Sequence, residues 1–409
     1  MTQSTTPLPF SVPSEPSRSV IVHVFGRTDV GRTREHNEDA FVVADLTRGN
    51  ATLQPEVRTH EVGDRGTLFM VADGMGGAAA GEIASAMAIE VVLRELSDAF
   101  SYADAPSENI YAATLKKATA AANAQIHSFA LEHPEFRGMG TTATIAGVLG
   151  DTLYLAQVGD SRAYLVRDGV AQQITKDQSL MQKLIEAGEI TEEEAEQSER
   201  RNIILQALGP EAQVKVDLTH QKVRRGDVLV LCSDGLSGQV RHDEIARVAT
   251  EQPDLMLVCK TLIDRANENG GPDNITVIAA RFDGEGLSQP ATGDAVGYRN
   301  YPLNRDSGQV EAVTRPDELY SKTTEETAVP TRRITKVLGT TKEIVPPHAA
   351  AFTLPSVEVS PTRRIRGSLI ALGLLIVLLA GAMWWVYSAA SSVVAPRHNG
   401  TDTPADARP

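Results

Sequence analysis

The period of the apolar positions changes along the chain, and the changes divide it. From Ser19 to Thr28 apolar and polar residues alternate, with Val20, Val22 and Val24 on one face, which predicts a first strand. A charged turn from Asp29 to Asp39 leads into a second, Ala40 to Ala44. After a polar insertion, Thr47 to Arg65, the run Phe69-Met70-Val71-Ala72 is apolar throughout. It ends in Asp73 and a turn, Gly74-Met75-Gly76-Gly77, which puts a carboxylate at the tip of a buried strand. The period then becomes helical. Ile83, Met87 and Val91, with Ile89, Leu93 and Leu96, predict a helix over about 79–100, and Pro106 and Ser107 separate it from a second over about 107–132.

From Thr141 the pattern returns to strands, at 142–149, 152–158 and 162–166, with Gly150-Asp151 and Asp168-Gly169 as two-residue hairpin turns. Residues 178–201 read as an acidic helical excursion carrying Glu192, Glu193 and Glu194. Strands over 214–220 and 227–233, helices over about 243–251 and 253–268, and a last strand over 275–282 complete the periodic part.

Both ends lack such periodicity. Residues 1–18 are rich in Ser, Thr and Pro and predict a disordered lead-in to a domain spanning 19–286. Residues 287–366 predict a disordered Thr/Pro-rich linker. Within it Pro330-Thr331-Arg332-Arg333-Ile334 recurs as Pro361-Thr362-Arg363-Arg364-Ile365, which suits either kinase sites or a solvated basic linker. The stretch Ser368 to Tyr387 has no charge and is long enough to cross a bilayer, so 367–388 is expected to be a transmembrane helix. Trp384, Trp385 and Tyr387 sit at one end as an interfacial belt would. Arg363, Arg364 and Arg366 precede it and only Arg397 follows closely, which orients the large N-terminal part to the cytoplasm and the tail, 389–409, outside.

Composition narrows the chemistry. A net charge of −14 over 409 residues argues against nucleic-acid binding. The two cysteines, Cys232 and Cys259, fall in apolar runs and read as buried reduced thiols. No apolar N-terminal segment suggests a secretory signal. What stands out is a repeated design, a carboxylate in a Gly- or Asn-marked turn at a strand tip. It occurs at Asn37-Glu38-Asp39, Asp73-Gly74, Ser233-Asp234-Gly235, Gly271-Pro272-Asp273-Asn274 and Gly159-Asp160-Ser161-Arg162. No His or Cys cluster has zinc spacing, and carboxylate-only sites favour Mg²⁺ or Mn²⁺. Two such ions about 4 Å apart activate a water and clamp a phosphoryl group, so the motifs point to a dimetal phosphohydrolase.

The order and content of these motifs, over about residues 20–283, closely resemble the bacterial form of the type 2C (PPM) family of metal-dependent Ser/Thr protein phosphatases. The resemblance implies an α+β fold of two packed antiparallel sheets flanked by helices on both sides, in four layers. It implies that Asp73 bridges two Mn²⁺ or Mg²⁺ ions, with the Gly74 carbonyl completing one shell and Glu38 contributing to it through water, and that Asp234 and Asp273 hold the other ion. Asp39 and Asn274 match supporting residues, and Arg34 matches the arginine that grips the substrate phosphate. Asp160 is either a ligand of a third ion or part of a polar bend, and Arg162 is a partner for it. Thr141 and Thr142 follow the family pattern and read as strand packing.

Three positions depart from the pattern. Met75 stands where eukaryotic members carry a histidine proposed as general acid, which leaves His36 as a weak substitute. Gly238 stands where many relatives have an aspartate, and Gln178 where relatives often have histidine. The expected activity is hydrolysis of phosphoserine and phosphothreonine in proteins, in opposition to a Ser/Thr kinase, by a membrane-anchored enzyme. The alternative is a catalytically silent, membrane-tethered phosphoprotein-binding domain; the intact carboxylate set favours the enzyme.

Overall fold

The computed structural model describes residues 19–50, 58–77, 79–101 and 105–303. Strands β1 (Ile21–Asp29), β2 (Ala40–Asp45), β3 (Thr59–Glu61), β4 (Thr67–Ala72) and a short β5 (Gly74–Met75) precede helices α1 (Ala80–Ser101) and α2 (Glu108–Glu132). Then come β6 (Gly140–Thr141), β7 (Ala143–Leu149), β8 (Thr152–Val158), β9 (Arg162–Arg167) and β10 (Val170–Gln173). Helices α3 (Leu180–Glu186) and α4 (Glu192–Glu196) lead to β11 (Asp217–Lys222) and β12 (Val228–Cys232). Helices α5 (Asp234–Ser237), α6 (His242–Glu251) and α7 (Leu255–Glu268) and strand β13 (Ile275–Asp283) close the order.

The strands form two antiparallel sheets, one ordered β10-β9-β12-β13-β1-β3 and the other β11-β8-β7-β4-β2, with β5 and β6 as a separate two-stranded ladder. Alternation along single strands explains the layering. In β4, Phe69 and Val71 face the other sheet, while Leu68, Met70 and Ala72 face α1 and α2. In β12, Leu229 and Leu231 join the same inter-sheet core, while Val228, Val230 and Cys232 face α6 and α7. A strand covered on both faces has no polar side, which is why these runs are apolar throughout. Three apolar clusters thus separate four layers, helices on each outer face and the two sheets between. Cys232 and Cys259 are both free and buried.

Local signals set the element ends. Ser107 caps α2 by accepting from the Ile110 N–H, and Asp254 caps α7 by accepting from Met256 at 2.9 Å. The Gly150-Asp151 and Asp168-Gly169 turns join β7 to β8 and β9 to β10 as two-residue hairpins.

Several expectations need correction. The strand placed at 214–220 runs from Asp217 to Lys222, because its pairing with β8 sets Asp217 opposite Gln157 and Lys222 opposite Thr152. The excursion 178–201 is two short helices; Gly188 ends α3, and a Thr191–Glu194 capping box starts α4 afresh. Strands β3 and β10 and the single turn α5 are too short to show a period.

The domain also runs past 286. Leu287 is buried in the inter-sheet core, and Val296 packs on it. Arg224 pairs with Asp294 at 2.7 Å. The His220 N–H donates to Arg299 O, and the Tyr301 N–H to Leu218 O, so residues 299–301 extend the edge at β11. The Tyr301 ring stands edge-on to Tyr154 and its hydroxyl lies 2.6 Å from Asn109 Oδ1. Scattered apolar residues in a Gly-rich segment give no period, and that hid this strap in the sequence.

The expected lead-in 1–18, the linker beyond 303, the transmembrane helix 367–388 and the tail 389–409 lie outside the described residues. Among the described residues no helix is long and apolar enough to cross a membrane. A chain ending at 286 should melt at least about 5 °C below one ending at 303, because it loses the strap's buried contacts and bares a strand edge. Equal melting by calorimetry would show that the strap adds nothing.

Candidate active site

Loops from both sheets carry the five acidic motifs to one place. Asp73 follows β4 directly, and hydroxyls fix its main chain. The Thr142 hydroxyl accepts from the Asp73 N–H at 3.0 Å, while the Thr141 hydroxyl and the Thr142 N–H both donate to the Asp73 carbonyl at 2.9 Å. These threonines, read from sequence as strand packing, therefore act as a clamp. Gly74 begins β5, which pairs with β6 and sets Met75 opposite Gly140.

Glu38 and Asp39 enter from the loop before β2. The Glu38 N–H donates to Asn274 Oδ1 at 2.8 Å, and the Glu38 carbonyl accepts from the Ser85 hydroxyl at 2.7 Å. A Cβ at Gly81 would collide with the Glu38 carboxylate, and one at Gly74 with the Glu38 and Gly81 carbonyls, so only glycine allows this approach. Asp39 spans the sheets. From just before β2 its Oδ2 accepts from Ser233, just after β12, at 2.8 Å and from Thr276 in β13 at 2.7 Å.

Asn274 ties the loop before β2 to the loop before β13. Its Nδ2 donates to Val30 O at 3.0 Å and His36 O at 2.9 Å, and its own N–H donates to Asp273 Oδ1 at 2.8 Å. Asp273 Oδ2 accepts from Arg34 at 2.9 Å, and the Arg34 side chain is otherwise half exposed. Asp234 opens α5, and its Oδ1 is buried without a hydrogen-bond partner. Asp160 sits between β8 and β9 and is 6% exposed.

Arg162 does not serve Asp160. It forms a bidentate pair with Asp177, Nη2 to Oδ2 at 2.7 Å and Nε to Oδ1 at 3.1 Å, and donates to the Tyr164 hydroxyl. Asp177 lies far enough on in sequence that the turn Gly159–Arg162 alone gave no sign of it. Ser85, Ser233, Thr276 and Asp177 were all missed. A hydroxyl in an otherwise apolar strand end, as at Ser233 and Thr276, was the one available signal.

The charges lack partners. Asp39 Oδ1, Asp160 Oδ1 and Asp234 Oδ1 are buried and have no hydrogen-bond partner. Desolvation first, then repulsion from Asp39, Asp234, Asp160 and Asp273, pushes the Asp73 carboxyl well above the usual range. Desolvation raises Asp39 to about 7 against the pull of Thr276 and Ser233, and raises Asp160 to about 8 with Asp234 and Asp177 adding to it. Desolvation, then Asp273, raises Asp234, and desolvation raises Glu38. Unpartnered oxygens among like charges are what a hard cation would satisfy, and the donor set is all oxygen.

Among the described residues no three His, Cys, Asp or Glu side chains gather tightly enough to hold an ion unaided. An ion here would complete its shell with water and main-chain carbonyls, as Mg²⁺ commonly does. A surface hollow of about 610 Å³ lies elsewhere, lined in part by Val166, Ala249, Pro253 and Arg281, and holds none of these carboxylates.

A four-layer sandwich with carboxylates gathered from both sheets defines a cation-dependent phosphohydrolase. The family model for protein phosphatase 2C matches residues 48–273, and the chain belongs to that family. A serine/threonine phosphatase, Stp, of Listeria monocytogenes is 38% identical over 264 residues, which cover 64% of this chain and 96% of that one. The serine/threonine protein phosphatase PstP of Mycobacterium tuberculosis is 35% identical over 310 residues, 74% of this chain and 54% of that one. The PstP/Ppp crystal structure from M. tuberculosis matches 64% of this chain and 99% of its own, with a TM-score of 0.54 at 36% identity. A PstP catalytic domain in complex with two manganese ions matches the same shares with a TM-score of 0.52 at 35% identity.

The charge cluster predicts a pH dependence for metal-free protein. The folded-state pKa values of Asp39 and Asp160 lie above the ordinary 3.8, at about 7 and about 8. Ionising a group with a raised pKa opposes folding. The stability it confers is complete below about pH 4 and is lost as pH rises through about 7 to 8, by up to about 1.4 kcal/mol per pH unit for each group. The metal-free melting temperature should therefore fall between about pH 5 and 8, and Asp160→Asn should shrink that fall. A pH-independent melting temperature by calorimetry would rule out the repulsion.

Proposed function

We propose that this chain is a metal-dependent protein serine/threonine phosphatase, hydrolysing phosphoserine and phosphothreonine in proteins, with its site at the acidic end of the sandwich. The observation that carries the site is the set of buried, unpartnered carboxylate oxygens on Asp39, Asp160 and Asp234 beside Asp73. Asp73, Glu38 and the Gly74 carbonyl would hold one Mn²⁺ or Mg²⁺, and Asp73, Asp234 and Asp273 the other; Asp160 would serve a third. When bound, such a pair supplies an acidified water nucleophile and charge for the phosphoryl oxygens.

The residues of the chain do the rest. The Thr141–Thr142 clamp fixes the direction of Asp73 by holding its main chain. Asp39, held by two hydroxyls, locks the two sheets in register beneath Asp234 and Asp273. Arg34, on Asp273 in this structure, is half exposed, and its planar fork matches phosphate oxygens once Asp273 has another counter-charge. Met75 cannot transfer a proton, so the leaving oxygen's proton does not come from that position. No phosphoenzyme forms, since the serines beside the cluster, Ser85 and Ser233, spend their hydroxyls on the Glu38 carbonyl and on Asp39, and Cys232 is buried with its thiol pushed up to about 12.

The wider context belongs to the same reading. The uncharged stretch within 367–388 supports a single membrane anchor, with the catalytic domain cytoplasmic and the tail outside. Its natural counterpart is a Ser/Thr protein kinase acting on the same phosphoproteins.

The test uses the full chain, stripped of metal, with a phosphothreonine peptide. Phosphate release should require added Mn²⁺ and fall more than about a hundredfold in Asp234→Asn. Arg34→Ala should raise KM about tenfold, the loss of one charged hydrogen-bond pair. Release without metal, or a trapped covalent phosphoenzyme, would sink the mechanism.

A further inference from the structure

Gln178 lies outside the carboxylate cluster and bonds the turn that carries Asp160, as does Gln157, whose Nε2 donates to Gly159 O at 3.2 Å and to Ser161 O at 2.8 Å. Gln178 is buried, at 7% exposed. Its Oε1 accepts from the Gly159 N–H at 3.1 Å, and its Nε2 donates to Lys215 O at 3.1 Å, with Gln157 O at the longer 3.5 Å. Its main chain closes the ring, since the Gln178 N–H donates to the Gly159 carbonyl at 2.9 Å. The partners fix which end of the amide is which, because Gly159 offers a donor and Lys215 an acceptor.

Gly159 is the residue this grip acts on. It has φ +104°, and a Cβ there would collide with Thr142, so the turn cannot be stiffened by a side chain of its own. The next residue is Asp160. Behind Gln178, its carbonyl accepts from the Leu205 N–H at 2.8 Å, and the Leu180 N–H donates to Ile203 O at 2.9 Å. Those two bonds form the base of the excursion that carries α3 and α4.

We propose that Gln178 is a positioning residue: its side-chain amide fixes the Gly159–Asp160 turn, aims the Asp160 carboxylate at the cluster, and ties that aim to the base of the 180–205 excursion. Movement of the excursion is thereby transmitted to the Asp160 turn; the loops carrying Asp234 and Asp273 are held by other bonds, while the clamp on Asp73 meets the turn through Thr142 Oγ1 and Ser161 Oγ, 2.8 Å apart. The proposal rests on the dimetal reading for its setting but concerns only Asp160.

The role needs a donor and an acceptor on one short side chain. Gln178→Met keeps the length and removes both; Gln178→His supplies both as neutral imidazole. Two measurements on the full chain separate positioning from mere packing. Hydrogen exchange on metal-free protein should quicken about tenfold around 157–162 and 203–206 in Gln178→Met, the loss of about one hydrogen bond, with α7 and β13 unchanged. Titration with Mn²⁺ should show a third, weaker ion on the wild type and on Gln178→His, and its loss from Gln178→Met with the tighter pair retained. Faster exchange throughout the molecule, or a third ion retained by Gln178→Met, would overturn the proposal. So would a wild type that binds two ions and no third; that result would leave the dimetal reading to stand or fall on Asp234→Asn.

Discussion

Everything at the functional end of this molecule depends on holding carboxylates together against their own repulsion. Asp39, Asp73, Asp160, Asp234 and Asp273 come from five separate loops and two sheets, and the repulsion among them is strong enough to lift several far from the usual carboxylate range. Such a cluster would spread if the loops were free. The sandwich prevents that, because each loop enters or leaves a strand that is largely buried. The rigid layers restrain the loops, and a bound cation would relieve the repulsion that remains.

The restraint is applied mainly through neutral hydrogen-bonding groups. Hydroxyls of Thr141, Thr142, Ser85, Ser233 and Thr276, with the amide of Asn274, make nearly all the bonds that place the acidic loops. Charged partners would place the loops as well but would neutralise the carboxylates. Neutral donors fix a carboxylate on one oxygen and leave the other wanting, as Asp39 shows: Oδ2 has two bonds and Oδ1 none. Arg34 is the exception, and its partner Asp273 is one of the more exposed acids, with 27% of its side chain accessible.

How far the sequence carried the reading follows from the same physics. Long periodic segments were legible: α1, α2, α7 and β13 lie within two residues of their expected bounds, because two covered faces or one apolar stripe leave a strong pattern. The strap at 287–303 was not legible, since Leu287, Val296 and Tyr301 are held by tertiary contact and by the edge of β11 rather than by a period of their own. At the site the acidic turns were legible because Asp, Gly and Asn cluster there for backbone reasons as well as chemical ones. The hydroxyls that hold them were not, since a buried Thr in a strand looks like strand propensity until its partner is known. Arg162 shows the limit most plainly. Its nearest acid in sequence is Asp160, but its position in β9 carries it to Asp177 instead.

The rest of the molecule shows that the unpartnered acids are a local exception rather than a general looseness. Arg167 and Asp227 form a pair that is 6% and 0% exposed, joined by Nε and Nη2 to the two carboxylate oxygens. The remaining capacity is used as well: Arg167 donates to Lys222 O and Asp294 O, and the Arg224 N–H donates to Asp227 Oδ2. A buried pair of this kind is tolerable only when fully satisfied. Asp177 is likewise saturated, by Arg162 and by Gln173. The same chain therefore satisfies its buried charges with guanidinium groups where the role is structural. It withholds them from Asp39, Asp160 and Asp234, where open oxygens and raised proton affinities persist together, and from Asp73 beside them, whose proton affinity is raised as well. Within one fold, that contrast separates a site held ready for a cation from an acidic surface that happens to be crowded.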